Sequence, residues 1–156
     1  MTLDEMLARE AIRFTLELYN RNADTADYAR HTGVFHPDAV MEIQGGPVLN
    51  GLPAIQRALQ EGAERRSAFN PGNFQRHHLT TSMIDLVDSH SARTTTYVIV
   101  TTEIGLDHTG RYDDEFVRVG ERWQVKSRKA TMEWANPHSR FVTWLGDGKP
   151  EEEARA

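Results

Sequence analysis

Residues 74–134 divide into four extended segments, 74–87, 91–105, 110–119 and 122–134, parted by very short polar turns. The turns are Asp88-Ser-His-Ser91, Asp107-His-Thr-Gly110 and Gly120-Glu-Arg122. Four strands joined so closely form an antiparallel meander, and everything before them must pack against it. Within the second strand the run from Thr94 to Thr102 is nearly all β-branched. Tyr97, Val98, Ile99 and Val100 place apolar groups on both faces of that strand. An antiparallel sheet with two apolar faces has its outer face covered too, so a homo-oligomer, a dimer or trimer, is expected.

The first half supplies helices. Thr2-Leu3-Asp4-Glu5 reads as an N-cap with acidic residues in the first turn, where the helix dipole favours them. Leu3, Leu7, Ala11, Phe14 and Leu18 recur at helical spacing after it, flanked by Ala8, Ile12, Leu16 and Tyr19. A short second helix is expected from about residue 25 to 32, ending at Gly33. Phe35-His36-Pro37-Asp38 reads as a corner before a short strand through Val40, Met41 and Ile43, and Gly45-Gly46-Pro47 is a turn. Val48 and Leu49 pair back on that strand in this reading. A third helix starts near Leu52, with Pro53 in its first turn, and Ser67–Asn73 is read as a loop. Helices gathered on one face of a bent antiparallel sheet make an α+β cone with an internal cavity suited to a small apolar ligand. Residues 1–135 form one domain and 136–156 a C-terminal extension, the last ten expected to be disordered.

Composition removes several classes of function. A net charge of −5 leaves no basic stripe for nucleic acid and no polybasic patch for a membrane. Cysteine is absent, which excludes disulfides and thiolate chemistry and fits a cytoplasmic location. No apolar run approaches the roughly 20 residues of a membrane span, and the N-terminus lacks the pattern of a signal peptide. The histidines show no metal-ligand spacing, so neither a metal nor a cofactor is expected. Asp113-Asp114-Glu115 reads as a solvated strand face.

What remains is acid–base chemistry. Asp24 stands at the end of the long helix, and His78 opens the first long strand. A carboxylate that holds an imidazole is a general acid–base device needing no metal. His78 alternates in phase with Thr80, Ser82, Ile84 and Leu86, which places it on the inner face; His77 then points the other way. Asp24 has a rival role as a helix cap. Tyr19, Tyr97 and Tyr112 are candidate hydrogen-bond donors to a substrate oxygen. Arg128 has the opposite strand parity from Trp123 and Val125. A β-bulge brings all three inward, or Arg128 faces away, or the Trp123 face is the outer one.

The stretches Tyr19…Ala23-Asp24…Asp27-Tyr28, Phe35…Pro37-Asp38-Ala39, His77-His78-Leu79-Thr80-Thr81, Gly110…Tyr112…Asp114…Phe116…Arg118 and Trp123…Val125…Arg128 carry a resemblance. Together they resemble the SnoaL-like, scytalone dehydratase-like branch of the nuclear transport factor 2 and ketosteroid isomerase superfamily. The resemblance implies that superfamily's cone and a cofactor-independent lyase or isomerase acting on a small apolar oxygenated ring compound. It also implies that Asp24 orients His78 as base and that Arg128 lines the pocket. Scytalone dehydratase carries a second catalytic histidine on the strand that here reads Tyr97-Val98-Ile99-Val100-Thr101, where this chain has none. Two alternatives share the fold: an assembly partner like the small subunit of ring-hydroxylating dioxygenases, and a small-molecule-binding protein.

Overall fold

The computed structural model describes residues 1–27, 30, 33–69 and 74–141, with the side chains of 66–69 left aside. Among the described residues two long helices and six strands follow in the order α1 (Leu3–Asp24), β1 (Phe35–Ile43), β2 (Val48–Asn50), α2 (Leu52–Phe69), β3 (Gln75–Leu86), β4 (Ser91–Thr102), β5 (Gly105–Val119) and β6 (Arg122–Ala135). The helix expected over 25–32 does not begin at its expected start, since Thr25 and Ala26 form a turn after α1, with Ala26 at φ +56°; residues 28, 29, 31 and 32 lie outside the described residues, as do 70–73 and the tail from 142 onward. Ser67–Phe69, expected as loop, continue α2. No described helix is long and apolar enough to cross a membrane.

The strands form one curved, unclosed sheet in the order β2-β1-β6-β5-β4-β3. Strands β3 to β6 are the expected antiparallel meander, whereas β1 joins β6 in parallel, so the sheet is mixed. The corner expected at Phe35-His36-Pro37-Asp38 is an irregularity inside β1, where Phe35 to Val40 spans only Val125 to Ser127 of β6. The hairpin between β4 and β5 turns at Glu103-Ile104, closed by Gly105 at φ +89°, and not at Asp107–Gly110 as expected. Asp107 and His108 therefore belong to a strand.

Helix α1 starts on the capping box read from Thr2 and Glu5: the Glu5 N–H donates to Thr2 Oγ1 and the Thr2 N–H to Glu5 Oε2. It lies against β3 and β6. The buried stripe is Ile12, Leu16 and Tyr19, spaced four and three apart, while Leu3, Leu7 and Phe14 are exposed. The broad apolar surface left the choice of stripe open, and contact with the sheet decides it. Ile12 and Leu16 meet Phe35, Met41, Val100, Phe116 and Val125 in a common core. Full burial of each such side chain is worth about 1.5–3 kcal/mol. Beyond this plug, toward the end of α1, the sheet encloses a cavity.

Candidate active site

Strand β3 decides which histidine enters that cavity. Leu79 pairs with Val98 and Ser82 with Thr96, so Thr80 and Thr81 together face the single residue Tyr97. This β-bulge shifts the side-chain alternation by one. Past it, Ser82, Ile84 and Leu86 face inward; before it, the inward set is Gln75, His77 and Leu79. Counting back from Ile84 through a regular strand selects His78, and the bulge moves the inward position to His77. His78 is exposed, and its Nε2 bonds only the Thr101 hydroxyl at 3.2 Å.

Asp24, the last residue of α1, meets His77 twice. Its Oδ1 accepts from the imidazole Nδ1 at 2.6 Å and its Oδ2 from the His77 backbone N–H at 3.0 Å. The carboxylate thereby holds the residue by both its side chain and its main chain. A carboxylate can only accept, so Nδ1 carries the proton and Nε2 is left for the cavity. Among the described residues Nε2 has no hydrogen-bond partner. Gln75, two residues earlier, donates to the Ala23 carbonyl and ties β3 to the helix end.

The cavity has a volume of about 130 Å³. Its walls are mainly apolar, with Ala23, Met41, Ile43, Leu59, Val98 and Met132 among them. Polar groups converge at Gln75, His77, His108 and the two tyrosines Tyr19 and Tyr112. The Tyr112 hydroxyl donates to Asn20 Oδ1 at 3.4 Å. Burial foremost pushes the Tyr112 hydroxyl far above the ordinary phenol range, with nearby Tyr19 adding to it and Arg128 opposing, so it keeps its proton.

Arg128 does face inward. Glu115 pairs with Ser127 and Phe116 with Val125, which makes Lys126 an extra residue on β6. That bulge lets Trp123, Val125 and Arg128 all be buried, removing the parity conflict. Arg128 lies beneath the cavity wall rather than in it. Its guanidinium sits 4.1 Å from the Tyr19 ring centroid and 4.3 Å from that of Tyr112. It also forks onto Asp114, Nε to Oδ1 at 2.7 Å and Nη2 to Oδ2 at 2.8 Å. Burial opposes its charge most strongly, but attraction and hydrogen bonds to Asp114 outweigh that and raise its pKa. Asp114 is thus no solvated acid. It is in phase with Tyr112 and Phe116, an alternation visible in the sequence that would have marked it as inward.

A second histidine reaches the cavity from β5. Val100 pairs with His108 and Thr101 with Leu106, so Asp107 is an extra residue. The bulge allows two adjacent residues, Asp107 and His108, to be buried together. His108 Nδ1 donates to Asp107 Oδ1 at 2.8 Å. Asp107 also accepts from Ser139 Oγ at 2.6 Å, the Arg140 N–H at 2.8 Å and Thr102 Oγ1 at 3.2 Å. Burial, the largest single influence on Asp107, raises its pKa, yet the bonds from His108, Ser139 and the Arg140 backbone together hold it below the usual carboxylate range. The Phe141 ring lines the cavity and packs near both imidazoles, 6.4 Å from His77 and 4.5 Å from His108 by centroids.

Of the residues read from the sequence, the fold brings together Asp24, Tyr19, Tyr112 and Arg128, with His77 in the place expected for His78. Tyr97 stands opposite the β3 bulge on the outer face, 47 % exposed, and so lies outside the cavity. His108 was hidden because Asp107-His-Thr-Gly110 has the composition of a turn. Gly105, at the proper distance from β4, was the available sign of the true turn.

A model of the SnoaL-like domain matches residues 4–129. No curated protein matches the sequence. Among solved structures, a candidate scytalone dehydratase from Novosphingobium aromaticivorans is 20 % identical with a TM-score of 0.73, covering 87 % of this chain and 91 % of its own. Hexachlorocyclohexane dehydrochlorinase LinA-type3 from Novosphingobium barchaimii is 16 % identical, also at 0.73, with coverage of 86 % and 92 %. A protein of unknown function from Mycobacterium tuberculosis is 22 % identical at 0.69, with coverage of 83 % and 73 %. At these identities the likeness establishes the fold, the α+β cone of the nuclear transport factor 2 type.

Proposed function

The chain belongs to the SnoaL-like domain family, and on that premise we propose that it is a cofactor-independent lyase or isomerase that moves a proton on a small, largely apolar, oxygenated ring compound. One observation carries the reading: an imidazole whose Nδ1 is held by Asp24 opens its Nε2 side toward an apolar cavity. His77 is the catalytic base and Asp24 its positioning residue, the role the sequence assigned to His78 passing to its neighbour. Asp24 fixes the tautomer and stabilises the imidazolium that forms as a proton is taken from carbon. Tyr112 and Tyr19 border the same space, and a phenol suits the oxygen on which enolate charge develops, Tyr112 by turning its hydroxyl from Asn20 to the substrate. The Arg128 cation against both ring faces favours that charge without touching the substrate. A volume of about 130 Å³ is close to the roughly 150 Å³ of a cavity known to accept benzene, so a single six-membered ring is the fitting size.

Cyclohexanone in D₂O tests this directly, with α-deuteration followed by NMR. The protein is expected to accelerate exchange. His77→Gln should lower the rate by about 10²–10⁴-fold, while His78→Ala leaves it as it was. Absence of catalysed exchange, or its survival in His77→Gln, overturns the reading. The outer face of β4, with exposed Tyr97 and Ile99, is read as the contact for a second copy. That face would serve an assembly subunit equally well, but such a subunit has no use for an Asp–His pair turned into a cavity.

A further inference from the structure

Helix α1 carries a second apolar stripe that the fold leaves open. Ile12, Leu16 and Tyr19 face the sheet. Leu7, Ala11, Phe14 and Leu18 lie roughly 140° around the helix from them. Leu7 is 59 % exposed and Phe14 58 %. Apolar side chains scattered singly on a surface need no explanation, but four in one row of a helix do. Their spacing of four, three and four is that of the d and a positions of a heptad. The same frame puts Asp4 at the a position before the row and Arg21 at the d position after it. Both are exposed, and neither has an ion-pair partner among the described residues.

This row forms one bank of a groove. A cleft bounded by Leu7, Leu86 and Asp88 and a cleft bounded by Phe14, Leu18 and Val34 share Ala11, Glu121 and Trp123, so the two run on as one along the helix. Charge changes sign along it. Asp4, Glu5 and Asp88 collect at the start of α1, with Arg118 among them. Arg30 and Arg122 stand at the far end, Arg30 already beside Asp27, and Glu121 lies between the two ends.

The occupant that fits is a helix with an a/d row of its own, basic where the groove is acidic and acidic where it is basic. A second α1 running antiparallel meets each condition. Antiparallel heptads set every a position against a d position of the partner. Asp4 then meets the partner's Arg21, Leu7 the partner's Leu18, and Ala11 the partner's Phe14, and the same three layers repeat in reverse. Small meets large at the centre, and opposite charges close both ends. Parallel packing would instead set Asp4 on Asp4, Phe14 on Phe14 and Arg21 on Arg21.

We propose that two copies of this chain pair through α1, antiparallel, in that register. The contact lies on the opposite side of the sheet from the outer face of β4, so one chain can make both. From Asp4 to Arg21 the seam is only about 27 Å long. Such a small contact belongs to the weak, transient class, so it forms at higher concentration than the β4 contact.

Sedimentation equilibrium on Tyr97→Glu/Ile99→Glu, which lacks the β4 contact, reads the pairing by itself. A single copy at about 10 µM, this variant should approach twice that mass near about 1 mM. Adding Leu7→Glu/Phe14→Glu, at two exposed positions, should keep it single throughout with an unchanged circular dichroism spectrum. In the same parent, Asp4→Arg and Arg21→Asp should each pair about tenfold more weakly, since the end layers become Arg on Arg or Asp on Asp. Mixed one to one they should pair as tightly as the parent, every end layer again being Arg on Asp. No doubling of mass in the parent overturns the proposal and leaves the groove to a different protein. Doubling that survives Leu7→Glu/Phe14→Glu overturns it as well, by assigning the contact to another surface. A mixture that pairs no better than its components overturns the register.

Discussion

Single side chains here take their roles from what they are paired with. Arg128 is 1 % exposed and would be costly to bury alone, yet Asp114 directly opposite it on β5 accepts both arms of its fork. Among the described residues its remaining Nη1 has no hydrogen-bond partner, and the Tyr19 and Tyr112 ring faces cover the cation instead. Arg128→Met strands a buried carboxylate and is expected to cost about 3–5 kcal/mol, read from urea unfolding. Replacing Asp114 as well, in Arg128→Met/Asp114→Leu, should recover most of that loss, because the stranded charge and not the missing attraction dominates. A double variant as unstable as the single one would contradict this. The pairing of Asp24 with a nearby histidine was legible at this scale, and Tyr19 and Tyr112, picked out from the sequence, do line the cavity. Which of two adjacent histidines met the acid was not, because residue type is the same at both positions.

Elements add the bulges, and these bulges assemble the site. One on β3 turns His77 inward, one on β5 buries Asp107 beside His108, and one on β6 brings Arg128 under the tyrosines. A curved sheet needs such insertions to bend, so the cavity and its acid–base groups have a common origin. The segment Asn136–Phe141 depends on one of them. Asp107 holds it through Ser139 and Arg140, and its carboxyl lies below the usual range in the fold. Stabilisation from a depressed carboxyl is present above its unfolded value of about 3.9 and is lost as pH falls through the folded value. The Arg140 amide NMR signal should therefore move in acid, below about pH 4, as its bond to Asp107 is released. In Asp107→Asn the acid step at that amide should vanish; its persistence would assign the step to another group. The capping box, the helix at Leu52 and the four-strand meander were all readable from local pattern. The β4–β5 turn was displaced because two Gly-containing stretches compete, at Gly105 and Gly110, and only pairing with β4 chooses between them.

At the scale of the molecule, one sheet wraps α1 at one end and leaves a cavity at the other, and its outer face is uncovered on β4. Tyr97 and Ile99 are exposed there, beside Met83 of β3. Apolar residues on the outer face of an antiparallel sheet are the mark of a covered surface. The chain is expected to be a dimer or trimer, measured as mass by light scattering. Tyr97→Glu/Ile99→Glu should lower that mass to a single copy while leaving the cavity residues in place. A monomer in the unaltered protein would refute the assignment of this face.

The sequence by itself determined the starts of the two long helices, the number of meander strands, the α+β class and the proposal of acid–base chemistry. These depend on short-range rules: caps, alternation, turn residues and the absence of other chemistry. Only the tertiary structure decided which histidine Asp24 holds, because side-chain parity along a strand is a count that any inserted residue shifts. The insertion opposite Tyr97 is defined by what β4 places across from β3, a relation between residues distant in the chain. It moved the imidazole that Asp24 holds from His78 to His77, and the insertion at Asp107 raised a supposed turn histidine to a second group in the same cavity.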